Sequence, residues 1–173
     1  MIQVGDPSPT HARNHRWSSE EFRYTLGHLP TGVTAVTASD SEGDYGMAVG
    51  SFVSVSMEPP LVGFFPGKSS STWPKLCRVG TLGVSFLAGG QGSVASALAG
   101  SGDKFAGGDW FRGDNSALLA GGALAWMECE IASVSDAGDH WFALCRIRAM
   151  RVNEMRQPDA LVHFRGRYGA LAD

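Results

Sequence analysis

Apolar, β-favouring residues recur along this chain at the two-residue spacing of half-buried strands. Met47, Val49, Phe52, Val53 and Val55 are separated by small polar Ser51, Ser54 and Ser56, and the same texture marks six segments. These predict strands over residues 33–39, 45–54, 61–65, 81–87, 123–134 and 140–152. Pro59-Pro60 removes two backbone donors and separates the second from the third. Residues 40–44 and 135–139 are polar, glycine-containing connections of hairpin type, so their flanking strands are expected to pair antiparallel. An antiparallel barrel fits this order better than an α/β sheet.

Helical signals are short. Ser18 and Glu21 have capping-box spacing, which predicts a helix running to about His28, with Phe22 and Leu26 on one face and Pro30-Thr31-Gly32 as its stop. Thr72 as N-cap with Pro74 in the first turn predicts a second helix over 73–79, and residues 91–99 a third. Residues 100–108 and Gly121-Gly122 read as loops. Residues 1–16 lack apolar periodicity and are expected to form a mobile tail, leaving one domain over 17–173.

Composition narrows the function. A chain of 173 residues with 43% hydrophobic content suits a single core, and a net charge of −3 offers no basic field for nucleic acid or anionic lipid. No stretch of about 18 apolar residues and no basic-then-apolar leader is present, so a cytoplasmic protein without membrane contact is expected. Cys77, Cys129 and Cys145 form no Cys-x-x-Cys pair and are expected as buried free thiols. His11 and His15 stand four apart without a carboxylate between them, and no metal site is assigned. Other motifs fail on spacing. Gly100-Ser101-Gly102 places Phe105 where a dinucleotide fingerprint has its third glycine, and Val62 stands where a P-loop begins with glycine.

The chemistry concentrates in residues 46–72. Gly67-Lys68-Ser69-Ser70-Ser71-Thr72 offers four adjacent hydroxyls, several N–H groups and one ammonium, which is equipment for a phosphate; a flexible Gly/Ser loop is the alternative. Residues 22–38 (Phe-Arg-Tyr-Thr-Leu-Gly-His-Leu-Pro-Thr-Gly-Val-Thr-Ala-Val-Thr-Ala), this segment, Asp103-Lys104-Phe105, Glu128-Cys129-Glu130, Gly138-Asp139-His140 and Leu161-Val-His-Phe-Arg-Gly-Arg-Tyr168 follow one another in a familiar order. Together they resemble the flavin reductase family, FMN-binding split-barrel proteins that include the small reductase partners of two-component monooxygenases. The resemblance spans roughly residues 20–170.

The resemblance implies a mainly β fold, a six-stranded antiparallel split β-barrel with short flanking helices, assembled as a homodimer. It implies hydride transfer from NADH or NADPH to FMN or FAD, with the reduced flavin passing to a monooxygenase. Ala48, Val49, Gly50, Ser51 and Phe52, with Ser54, Val55 and Ser56, would line the flavin ring, and Thr31 would lie near it. Lys68, Ser69, Ser70, Ser71 and Thr72 would hold the phosphate; Lys104 would meet a flavin phosphate across the dimer, an exposed surface lysine being the alternative, and Phe105 would belong to the cofactor site. Arg165, Arg167 and Tyr168 would approach it from the chain's end. His140 would face the nicotinamide, while His163, in an apolar run, reads as a packed residue. Family members often carry Thr, Ser and Asn where this chain has Ala48, Gly50 and Ser85, so Ser85 marks a cofactor position with a lost hydrogen-bonding group, and flavin is expected to exchange. Two other readings stay open: a flavin-holding electron carrier, and a barrel adapted to deazaflavin or haem.

Overall fold

A computed structural model describes residues 17–154 and 159–171; the expected tail over 1–16 lies outside the described residues. The first helix, α1 (Ser19–Leu26), begins as its sequence dictates. Glu21 N–H donates to Ser18 Oγ at 3.1 Å and Ser18 N–H to Glu21 Oε2 at 2.7 Å, satisfying two otherwise orphaned donors. None of the α1 residues is buried.

Each of the six expected segments contains strand, and the described residues hold twelve strands in all. They are β1 (Thr31–Gly32), β2 (Thr34–Asp40), β3 (Gly43–Val49), β4 (Val53–Ser56), β5 (Leu61–Phe64) and β6 (Thr81–Phe86), then β7 (Trp110–Arg112), β8 (Leu118–Ala120), β9 (Ala125–Ala137), β10 (His140–Val152), β11 (Ala160–Phe164) and β12 (Arg167–Leu171). Seven form one antiparallel sheet in the order β3-β2-β6-β9-β10-β5-β4. A second sheet runs β1-β11-β12, and β7 pairs with β8. The short strands lack the length that makes alternation visible in a sequence.

One expectation is corrected. The strand predicted over 45–54 is two strands: β3 ends at Val49 and β4 starts at Val53, and they occupy opposite edges of the seven-stranded sheet. Residues 50–52 bridge those edges, and so short a link spans at most about 14 Å. Laid flat, seven strands would extend about 29 Å. The sheet therefore curls into a barrel that stays unzipped between β3 and β4. Phe52 anchors the link from inside, its ring 6.4 Å from Phe64 and 5.5 Å from Phe86.

Strand alternation divides the core in two. Val36, Ala38, Val49, Phe64, Leu82 and Val84 fill the barrel together with Trp73 and Leu76 of α2 (Trp73–Val79). Cys129 and Cys145 are buried there as free thiols, and burial pushes each up to about 12, too high to form a reactive thiolate near neutral pH. On the opposite face, Val33, Ala35 and Leu161 pack under Val94, Ala95 and Leu98 of α3 (Gly92–Ala99).

Candidate functional site

The unzipped edge places the segment with the most chemistry beside two others that are remote in sequence. Gly50, next to the end of β3, faces Thr31 of β1 so closely that a Cβ on residue 50 would meet Thr31 Oγ1 at 2.7 Å. The next residue, Ser51, accepts through Oγ from Phe65 N–H at 3.0 Å, tying the link to the end of β5. From there Trp141 N–H donates to Pro66 O at 2.9 Å, Gly67 forms an antiparallel bridge with His140, and Lys68 N–H donates to Asp139 O at 2.9 Å. Rings of Phe65 and Phe142 meet at 5.0 Å beneath this zipper. A continuous path thus runs Thr31, Gly50, Ser51, Phe65, Gly67, His140.

His140 is aimed by its neighbour. Its Nδ1 lies 2.7 Å from Asp139 Oδ1, and because a carboxylate only accepts, Nδ1 carries the donated hydrogen. The His140 hydrogen bond holds the Asp139 carboxyl below its ordinary value. Nε2 then turns toward the glycine loop: a Cβ built on Gly67 would lie 3.7 Å from His140 Nε2 and 3.8 Å from Ser69 Oγ, so imidazole and hydroxyl flank one half-buried backbone position.

Within the hydroxyl cluster the roles differ. Thr72 is not the side-chain cap of α2: it has helical backbone angles, and its side chain makes no capping bond. Ser70 Oγ accepts instead from Thr72 N–H at 3.3 Å and Trp73 N–H at 3.1 Å. Ser69 and Ser71 are exposed, as a phosphate cradle requires. The Lys68 ammonium pairs with Asp136 and lies 4.7 Å from the centre of the Trp141 ring. Its hydrogen bond is the main influence lowering the Asp136 carboxyl, assisted by Gly138 N–H.

A cleft of about 590 Å³ opens beside β4. Ser54 and Ser56 line it with Phe52, Met57 and Leu61, whereas Val53 and Val55 point away and are exposed. Such an apolar slot with a few hydroxyls suits a flat aromatic ring, and Gly32, the neighbour of Thr31, lies on its wall while Gly50 and Ser51 do not. Val49 is turned into the barrel and Ala48 toward the α3 side, so only the backbone of this pair can meet one ligand.

Other expected positions lie apart from this path. Ser85 is 1% exposed and accepts from Ala120 N–H at 3.0 Å, which makes it a core residue rather than a lining one. Lys104 Nζ donates to Leu98 O and Gly100 O, closing the end of α3, and Phe105 packs 5.1 Å from Trp110. Arg165, Arg167 and Tyr168 line a separate cleft of about 760 Å³ with Phe164. His163 is exposed rather than packed, pairing with Thr31 across the small sheet and meeting the Tyr168 ring at 5.5 Å. Asp136 and Trp141 had no distinctive spacing; only the fold brings them to the glycine loop. Among the described residues no cluster of three or more His, Cys, Asp or Glu could hold a metal, and no helix is long and apolar enough to cross a membrane.

Comparison with known proteins shows the family. Residues 26–172 match the family described as Flavin reductase like domain. A flavin reductase of Pseudomonas putida is 44% identical over 153 residues, covering 87% of this chain and 89% of that protein. The reductase subunit HsaB of a flavin-dependent monooxygenase of Rhodococcus jostii is 39% identical over 151 residues, covering 87% and 76%. The solved structure of the Streptomyces globisporus NADH:FAD oxidoreductase SgcE6, in complex with NAD and FAD fragments, superposes with a TM-score of 0.81 at 35% identity, covering 88% and 92%.

Proposed function

The chain belongs to the flavin reductase-like domain family, and from that premise we propose that it transfers a hydride from NADH or NADPH to FMN or FAD and passes the reduced flavin to a separate monooxygenase. The observation that carries the residue assignment is the Gly67–His140 bridge. It sets a candidate phosphate loop and a candidate nicotinamide residue on adjoining backbones, with the glycine edge at residue 50 tied to the same loop through Ser51.

Flavin, when bound, supplies the ring that accepts the hydride. The protein's share is holding and orientation. Ser69, Ser71 and Thr72, with Lys68, would bind the flavin phosphate, while Ser70 keeps the start of α2 in place. Thr31, the backbone at Val49, Gly50 and Ser51, and the Ser54–Ser56 wall would receive the ring. With Nδ1–H given to Asp139, the Nε2 edge of His140 is left to meet the carboxamide of the nicotinamide. No side chain needs to take a proton for hydride to pass.

Aerobic NADH oxidation with and without added FMN tests this reading. Turnover that depends on added flavin is expected; strong turnover in a colourless preparation without flavin, or none in its presence, would overturn it. We also propose a homodimer, supported by the exposed Trp17, Phe22 and Leu26 on and before α1, and a cytoplasmic location, with which the unpaired Cys129 and Cys145 agree.

A further inference from the structure

The Lys68 ammonium is engaged before any phosphate arrives. Asp136 Oδ2 pairs with it, and the Trp141 ring lies beneath it at 4.7 Å. Side-chain exposure is 34% for Lys68 and 68% for Asp136, so the pair is open to solvent beside the glycine loop. The other Asp136 oxygen, Oδ1, accepts from Gly138 N–H at 3.2 Å and builds the turn that delivers Asp139 and His140. One carboxylate therefore shapes the turn with one oxygen and occupies the loop's cation with the other.

Resting on the assignment of Lys68 to the flavin phosphate, we propose that Asp136 is a resident competitor for that phosphate, an affinity-setting residue that keeps phosphorylated flavin exchangeable. The phosphate must displace the carboxylate from Lys68 to gain the ammonium, and on release the carboxylate returns. Trp141 holds the ammonium over its face in both states, so the exchange needs only a short swing of a flexible side chain. The loose flavin binding expected from lost hydroxyl and amide groups thereby gains a second, independent source. A reductase that delivers its product to another enzyme benefits from such exchange, because a tightly retained flavin would stop turnover after one reduction.

The test is a double-mutant cycle read by flavin binding. Asp136→Asn keeps an acceptor oxygen for Gly138 while removing the charge offered to Lys68. It is expected to tighten FMN by about two- to fivefold, the range an exposed ion pair covers, with riboflavin unchanged. In a Lys68→Met background, FMN should bind more weakly than to the wild type and Asp136→Asn should then have no further effect. Unchanged FMN affinity in Asp136→Asn, or equal tightening with Lys68 present and absent, would overturn the competition while leaving the phosphate assignment standing. Wild-type FMN affinity in Lys68→Met would remove that assignment and the competition together.

Discussion

Thr31 and Gly50 are in contact across the seam of the barrel, close enough that a methyl group on residue 50 would lie 2.7 Å from the Thr31 hydroxyl. Glycine is required here for space. Gly50→Ala is expected to destabilise the fold by about 1–3 kcal/mol, measured by urea unfolding, and Thr31→Ala should recover part of the loss in the double variant. Additive losses would mean the two residues do not share the strain.

Hydroxyls in the glycine loop should separate into structural and binding groups. Ser70→Ala removes the acceptor for the first N–H groups of α2 and should lower stability by about 1 kcal/mol. Ser71→Ala with Thr72→Ala should leave stability near wild type and weaken FMN by about 1–3 kcal/mol, with riboflavin almost unaffected. Equal weakening of FMN and riboflavin in titrations would put the phosphate elsewhere.

Removing the imidazole should affect reduction rather than flavin binding. His140→Ala is expected to slow flavin reduction by NADH about tenfold or more in stopped-flow traces while the FMN dissociation constant stays near wild type. Asp139→Asn should slow it less, since the ring remains but its Nδ1 hydrogen loses a charged acceptor. A wild-type rate in His140→Ala would return the residue to a purely local role.

Acid should loosen the β2–β3 hairpin. Arg112 hydrogen bonds, with Ser39 assisting, hold the Asp44 carboxyl below its ordinary 3.8. A folded value below the unfolded one means the contribution is present above about pH 4 and is lost as pH falls through the lower folded value. Asp44→Asn is therefore expected to reduce stability at neutral pH and flatten its decline between pH 5 and 2, followed by circular dichroism. An acid limb identical to wild type would exclude the Arg112–Asp44 pair as a contributor.

Light scattering should report about twice the chain mass of 18.3 kDa. Phe22 and Leu26 remain 53% and 49% exposed on α1, a helix with no buried residue of its own. Phe22→Glu should shift the mass toward one chain at low concentration; unchanged mass would move the interface away from α1.

Local chemistry was legible where it was also local in space. The Ser18–Glu21 box fixed the start of α1, and α2 has the predicted bounds because Pro74 and a following glycine punctuate it. The break after Val49 was hidden, since Val53 and Val55 keep the two-residue phase of Met47 and Val49 while the chain crosses from one sheet edge to the other. Ser70 and Thr72 carry the same functional group two residues apart, and only the fold shows which hydroxyl accepts from the start of α2. Ser85 reads as a pocket residue by resemblance, yet its hydroxyl is committed to Ala120 N–H in the core. The pairing of Lys68 with Asp136 joins segments with no shared pattern.

The bridge between Gly67 and His140 also has a kinetic meaning. It joins distant parts of the chain and depends on β5 having docked along β10, from Leu61 opposite Arg146 to Phe64 opposite Ala143. Hairpins such as β2–β3 and β9–β10 close short loops and are expected to form early, whereas this contact carries the loop-closure entropy of the intervening chain. Flavin competence should consequently be among the last properties regained on refolding, lagging behind the recovery of β-structure signal.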